Sequence, residues 1–335
     1  DLPKLNRVVV KVGSSSLCHK NGKIDPKRIE AIAEDIASLI QEDIQVVLVS
    51  SGAVAAGRHI LNENETAIEI KQAAAAIGQI ILLGTFQQNF RTHDLTIAQI
   101  LLTHEDLQDR RRYLSARNTL VNLLDHGIVP IINENDSIST EEIQFSDNDF
   151  LAVLCTNLVS ADLFIILSDI DGIGKKDPRT NPETEIYETL SVEKLEQLKK
   201  QIPKNKLGGI SRGGIYTKME APIMAAQYGI PTIIANSRTE FVLKRLIQNE
   251  NFGSYIHPTE SKLNSRKAFI AHALKPKAKL IIDQGAANAI RSKKASLLPS
   301  GILETEGAFL RGDGVICSLK DGLDNCPGDC GIRSG

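Results

Sequence analysis

At 335 residues the chain exceeds one small domain, and at about 150 residues per domain two are expected. Its net charge of -2, with both signs interspersed, argues against a nucleic-acid or membrane surface as the main partner. No apolar run approaches the roughly 18 residues that span a bilayer, and Asp1-Leu2-Pro3-Lys4 lacks the shape of a signal peptide, so a cytoplasmic location is expected. The five cysteines, an odd number, do not form a disulfide framework. Cys326 and Cys330 have a spacing that a metal site uses, but only Cys317 lies near them and no histidine follows.

The first predicted strand, Val8–Val12, places Lys11 inside an apolar run and opens into Gly13-Ser14-Ser15-Ser16. Burying an unpaired ammonium costs several kcal/mol, so Lys11 either reaches water from an edge strand or meets an anion at the strand's carboxyl end. The loop that follows, with small residues, free N–H groups and hydroxyls, suits phosphate. Asp25 and Pro26 then mark a helix start, and Ile29, Ile32, Ala33, Ile36, Leu39 and Ile40 recur at helical spacing. Further strands are predicted at Gln45–Val49, Thr96–Leu101, Val129–Ile132, Leu163–Leu167 and Thr232–Ala235. Helices are predicted at Ile70–Phe90, Tyr113–Leu124, Asp149–Leu158, Val192–Gln201, Thr217–Tyr228 and Thr239–Gln248. Pro222 falls inside one of them and is expected to kink it or shift its start. Strands apolar on both faces, alternating with amphipathic helices, imply an α/β fold with a mostly parallel central sheet sandwiched by helices.

Ligands of such sheets bind beyond the carboxyl ends of the strands. Four predicted strands end in small polar residues there: Gly13–Ser16, Ser50–Ala53, Asn133–Asp136 and Ser168-Asp169. Any one of these reads equally as a helix cap or a turn; four together point to one shared site. After Lys262 the pattern changes. Lys275–Lys277 reads as a linker, followed by short strand-like, glycine-punctuated segments that imply a small β-rich domain, and 321–335 reads as a disordered tail.

Two further segments carry chemistry. Gly208–Lys218 sets two diglycines around Arg212 before a helix start, without the Walker A spacing. It is either a flexible surface loop or a phosphate clamp with Lys218 at its end. Asp147-Asn148-Asp149 opens a helix. Either acid suits a helix N-terminus, while a carboxylate at Asp149 also suits a position between two lysines, whose mutual repulsion it offsets. Lys11 and Lys218 at one sheet edge would form the two-lysine cradle that phosphoryl transfer needs.

The segments 9–14, 49–58, 132–136, 147–149 and 213–218 together resemble the glutamate 5-kinase family of the amino acid kinase superfamily. The resemblance runs from about Arg7 to Ala271, giving a kinase domain over 1–271, and 277–320 looks like part of the PUA domain that many members carry. It implies ATP-dependent phosphorylation of the γ-carboxylate of L-glutamate, the first step toward proline, with Mg²⁺ bound on the ATP. By position, it implies that Lys11 and Lys218 act on the transferring phosphoryl group, with Asp149 organising them. Ser51, Asp136 and Asn148 would bind glutamate. Lys11, Ser168 and Asp169 would hold the nucleotide together with the loop and helix start Arg212, Gly213, Gly214, Ile215, Tyr216, Thr217 and Lys218. Arg212 and Tyr216 depart from the threonine and small residue usual in the family. Self-association into a homo-oligomer and inhibition by proline are implied by resemblance alone. A sister kinase would take N-acetylglutamate, aspartate, carbamate or a nucleoside monophosphate, and Asp136 discriminates because a free ammonium wants an acid. A third reading is RNA recognition by the PUA-like part through Arg291, Lys293 and Lys294, opposed by the near-neutral charge and the few aromatics.

Overall fold

The computed structural model describes residues 2, 4–19, 21–61, 67–138, 147–176, 178, 181, 183–201, 215–259, 276–293, 296–309 and 314–319. The chain divides into two units: Asp1–His104 with Ser115–Lys262, and Glu105–Leu114 with Leu263–Gly335.

In the first unit the strands run β1 (Arg7–Val12), β2 (Gln45–Ser50), β3 (Ile97–Leu102), β4 (Val129–Glu134), β5 (Leu163–Ser168), β6 (Thr189–Leu190), β7 (Thr232–Asn236) and β8 (Ser254–Ile256). They form one sheet in the order β3-β4-β2-β1-β5-β7-β8-β6, in which only the β7–β8 pairing is antiparallel. The mostly parallel sheet expected from the apolar runs is therefore present, and each of the six predicted strands falls within one residue of an observed one at its start.

Up to residue 262 the helices are α1 (Ser14–Leu17), α2 (Pro26–Gln41), α3 (Ala53–Leu61), α4 (Ile68–Arg91), α5 (His104–Gln108), α6 (Arg110–Asp125), α7 (Asp147–Leu158), α8 (Val192–Gln201), α9 (Ile215–Gln227) and α10 (Val242–Ile247), of which most of α5 and the start of α6 fall in the second unit. The Asp25 side chain accepts from Lys27 N–H at 3.1 Å and Pro26 takes the first turn, as the sequence predicts. α9 runs through Pro222, starting two residues before the predicted Thr217.

Strand alternation assigns the two faces. Val8, Val10 and Val12, Val46 and Leu48, and Leu163, Ile165 and Leu167 join one core with Ile32 and Ile36 of α2 and Leu82 and Phe86 of α4. The intervening residues face the other way, where α7 packs on β1, β2 and β4, and α9 packs on α7. On the first face Asp35 of α2 is buried among apolar neighbours, which pushes its carboxyl up to about 6. It accepts from Leu243 N–H at 3.2 Å and so caps α10 from another helix.

In the second unit β9 (Pro276–Ile282) lies between β10 (Ile302–Glu306), antiparallel to it, and β11 (Gly314–Leu319), parallel to it. α11 (Gln284–Lys293) brings Ala287 against Ala278, Leu280, Ile282 and Val315, a separate small core. Pro276, expected in a linker, instead opens β9. The stretch expected as a disordered tail lies outside the described residues. Among the described residues no helix is long and apolar enough to cross a membrane.

Candidate active site

Lys11 stands in register with Val49 of β2 and Ile166 of β5. With Val10 and Val12 committed to the α2/α4 core, alternation turns Lys11 toward α7. Its ammonium meets Asp149 in the first turn of α7 as an ion pair. Lys11 is 5% exposed and Asp149 3%. Apart from Lys11, neither Asp149 oxygen has a hydrogen-bond partner among the described residues, so Lys11 is the compensating charge for this buried carboxylate. A Cβ added at Gly13 would lie 3.8 Å from Lys11 Nζ, which places the ammonium beside the backbone that opens the serine loop.

Ser168 ends β5 on the same face as Lys11, because Leu163, Ile165 and Leu167 take the opposite one. One strand over and two residues further along, it sits roughly 8 Å from Lys11 backbone to backbone by strand spacing and rise. Lys218, buried in the first turn of α9, donates to Ser168 Oγ and to Asp169 Oδ1, the latter at 2.8 Å. The Ser168 hydroxyl in turn donates to Asp169 at 3.0 Å. Two lysines distant in sequence are thus anchored on one face at one sheet edge, Lys11 against Asp149 and Lys218 against Asp169. Asp149, the carboxylate expected between both lysines, contacts Lys11, and Lys218 meets Asp169, an acid expected at the nucleotide.

The second cluster lies beside β2 and β4. Gly52, with φ of 109°, turns the chain from β2 into α3 where a Cβ would meet Cys18 Sγ at 3.3 Å. Just before it Ser51 accepts from Asn148 Nδ2 at 2.9 Å. Asn148 Oδ1 accepts from Glu134 N–H at 3.1 Å, which also reaches Asn133 Oδ1 at 2.9 Å. Asn133 Nδ2 donates to Gln79 Oε1 of α4 at 2.7 Å, a pair buried on the α2/α4 side. Asp136 sits in the turn after β4, and burial pushes its carboxyl up to about 6.

Asn148 and Asp149 are adjacent in α7, so one helix turn reaches both clusters. Of the residues named from the sequence, Ser51 with Asn148, Lys11 with Asp149, and Lys218 with Ser168 and Asp169 are brought together. Arg212, Gly213 and Gly214 lie outside the described residues, as do the side chains of Asp147, Ile215, Tyr216, Thr217, Arg291, Lys293 and Lys294. Gln79 was not singled out by sequence reasoning. The one signal it offered is an amide inside an otherwise small and apolar stretch, Ala73-Ala74-Ala75-Ala76-Ile77-Gly78-Gln79-Ile80.

A mostly parallel sheet with two lysines brought to its carboxyl edge defines a phosphoryl-transfer class of protein. The amino acid kinase family matches residues 6–236 and the PUA domain residues 278–323, and the chain belongs to the amino acid kinase family. Among its relatives, the glutamate 5-kinase of Marinomonas sp. (strain MWYL1) is 42% identical over 96% of this chain and 86% of that protein. The glutamate 5-kinase of Pelobacter propionicus is 43% identical over 92% and 83%. Among solved structures, UMP kinase from Bacillus anthracis superposes with a TM-score of 0.54 at 17% identity, covering 78% of this chain and 99% of that one. That likeness is one of fold.

Proposed function

We propose that the chain is an ATP-dependent kinase that phosphorylates the γ-carboxylate of L-glutamate to γ-glutamyl phosphate, the first step toward proline. The observation that carries this is the pairing of Lys11 with Asp149 and of Lys218 with Ser168 and Asp169, on one face at one edge of the sheet. Relatives at about 42% identity that bear the name glutamate 5-kinase support the acceptor.

In this reading a γ-carboxylate oxygen forms a bond to the γ-phosphorus of ATP as the bond from that phosphorus to the β,γ-bridging oxygen breaks, and ADP leaves with the electron pair. The carboxylate, with a pKa of about 4.3, is already ionised at neutral pH, so no general base is required. Negative charge spreads over the oxygens in transit, and the two ammonium groups stabilise it there more than in the ground state. Asp149 and Asp169 hold the lysines in place beforehand. The substrate's ammonium is assigned to Asp136 and its carboxylates to donors around Ser51 and Asn148. Among the described residues no group of three or more His, Cys, Asp or Glu side chains could hold a metal, so Mg²⁺ would be carried on the ATP phosphates and would supply neutralisation of their charge there. Nucleotide contacts are assigned to Ser168, Asp169 and the 212–218 segment.

Self-association is proposed as well. Its support is the outward face of α4, where Ala73, Ala76 and Ile80 are exposed, Ile80 at 77%.

Trapping the acyl phosphate with hydroxylamine, in the presence of ATP and each of glutamate, N-acetylglutamate and aspartate, tests the assignment. Hydroxamate that depends on glutamate is expected. Turnover confined to another acceptor would reassign the chain to a sister activity.

A further inference from the structure

We propose that Gln79 is a positioning residue of the acceptor pocket: through Asn133 and the Glu134 N–H it fixes the polarity of the Asn148–Ser51 pair, so that Ser51 presents its O–H to a substrate carboxylate. The inference rests on the glutamate reading above and adds to it a residue assigned to neither substrate there.

The polarity follows from a group that has no choice. A backbone N–H only donates, so both amide groups facing the Glu134 N–H, those of Asn133 and Asn148, must turn their oxygens to it. Asn133 then points its NH₂ at Gln79, which must answer with its oxygen, as it does at 2.7 Å. Asn148 likewise points its NH₂ at Ser51 Oγ, 2.9 Å away. A serine hydroxyl that accepts there keeps its own proton for another acceptor. A carboxylate is an acceptor only, so this polarity suits an acidic substrate.

Gln79 is the far anchor of the chain. It reaches Asn133 from α4, whose Gly78 packs so tightly on α3 that an added Cβ would lie 1.8 Å from Ala53 O. α3 begins two residues after Ser51. One contact between helices therefore sets both ends of the relay: the α3 start beside Ser51, and the Gln79 oxygen at Asn133. Without an acceptor at position 79 the buried Asn133 NH₂ is unpaired, and rotating the Asn133 amide to relieve it would set NH₂ against the Glu134 N–H. The rotated amide would place a second donor beside the Glu134 N–H and so disturb the group that orients Asn148.

The test compares Gln79→Met, which keeps the size and removes the acceptor, with Gln79→Glu, which keeps an oxygen for Asn133, both in the full chain. Gln79→Met is expected to raise the glutamate KM roughly tenfold, as for a buried donor left unpaired, with the ATP KM within about twofold and kcat reduced less than the glutamate KM rises. Gln79→Glu is expected to stay within about threefold of wild type. Combining Gln79→Met with Ser51→Ala is expected to add nothing to the Ser51→Ala effect, since the two act on one proton. If the methionine variant does not fold, Gln79→Asn, which withdraws the amide by one methylene, carries the same comparison. Equal losses in Gln79→Met and Gln79→Glu, parallel changes in glutamate and ATP KM, or additive effects with Ser51→Ala would overturn the inference while leaving the kinase reading intact. A wild-type chain that turns over no glutamate would overturn both.

Discussion

Lys11 and Asp149 hold two charges inside the protein at the cost of their hydration, and each is the other's compensation. Removing one is therefore worse than removing both. Lys11→Met is expected to cost about 3–5 kcal/mol of stability by stranding Asp149, and adding Asp149→Asn to it is expected to recover most of that loss without recovering activity. Thermal or urea unfolding of the two variants checks this, and equal destabilisation in both would contradict the pairing. Asp136 makes a second prediction at this scale. Burial raises its carboxyl to about 6, so the group that is to meet the substrate ammonium is ionised at pH 7.5 and takes a proton as pH falls through 6. The glutamate γ-carboxylate stays ionised to about 4.3, so the lost partner on the protein dominates. Glutamate KM is expected to rise by about tenfold per pH unit below 6, and Asp136→Asn to raise KM at pH 7.5 and flatten that dependence. A KM independent of pH in the wild type between 8 and 5 would remove Asp136 from the acceptor pocket.

At the scale of elements, the strands were the readable part. β1, β2, β4 and β5 are buried on both faces, so their Val, Ile and Leu runs stand out without alternation, and their ends are marked by the polar residues of the site. α3 was missed for a physical reason. Its sequence, Ala53-Val54-Ala55-Ala56-Gly57-Arg58, carries little large apolar periodicity because it packs backbone against backbone on α4. A Cβ at Gly57 would lie 1.7 Å from Ala74 O, and one at Gly78 1.8 Å from Ala53 O. Small residues that look like loop composition are here what lets two helices touch. Gly57→Ala is expected to cost about 3 kcal/mol or more, the upper range for overpacking, because the obstacle is backbone that cannot rotate away. It is also expected to raise the glutamate KM by moving the α3 start beside Ser51. A variant as stable as wild type in urea unfolding would show that the helix pair is not close packed.

For the whole molecule, local signals revealed the fold class and the lysine segments, whereas partnerships across the chain were beyond them. Nothing near Lys218 in sequence announces Asp169, 49 residues away, and nothing near Asn133 announces Gln79, 54 residues away. Such pairs exist only once the order β3-β4-β2-β1-β5-β7 has set strand ends beside one another. The second unit was legible as short strands punctuated by glycine, though the strand opening at Pro276 overrode the linker reading of Lys275–Lys277. What the molecule as a whole is proposed to do reduces to two ammonium groups brought to one edge of one sheet. The most direct test is steady-state hydroxamate formation from glutamate and ATP by the full chain and by Lys218→Met, with glutamate and ATP KM measured in both. Turnover is expected to fall at least a hundredfold, about 2.7 kcal/mol of lost transition-state stabilisation, with glutamate KM within about threefold. Near-normal turnover in the folded Lys218→Met protein, or a loss confined to glutamate KM, would contradict the account.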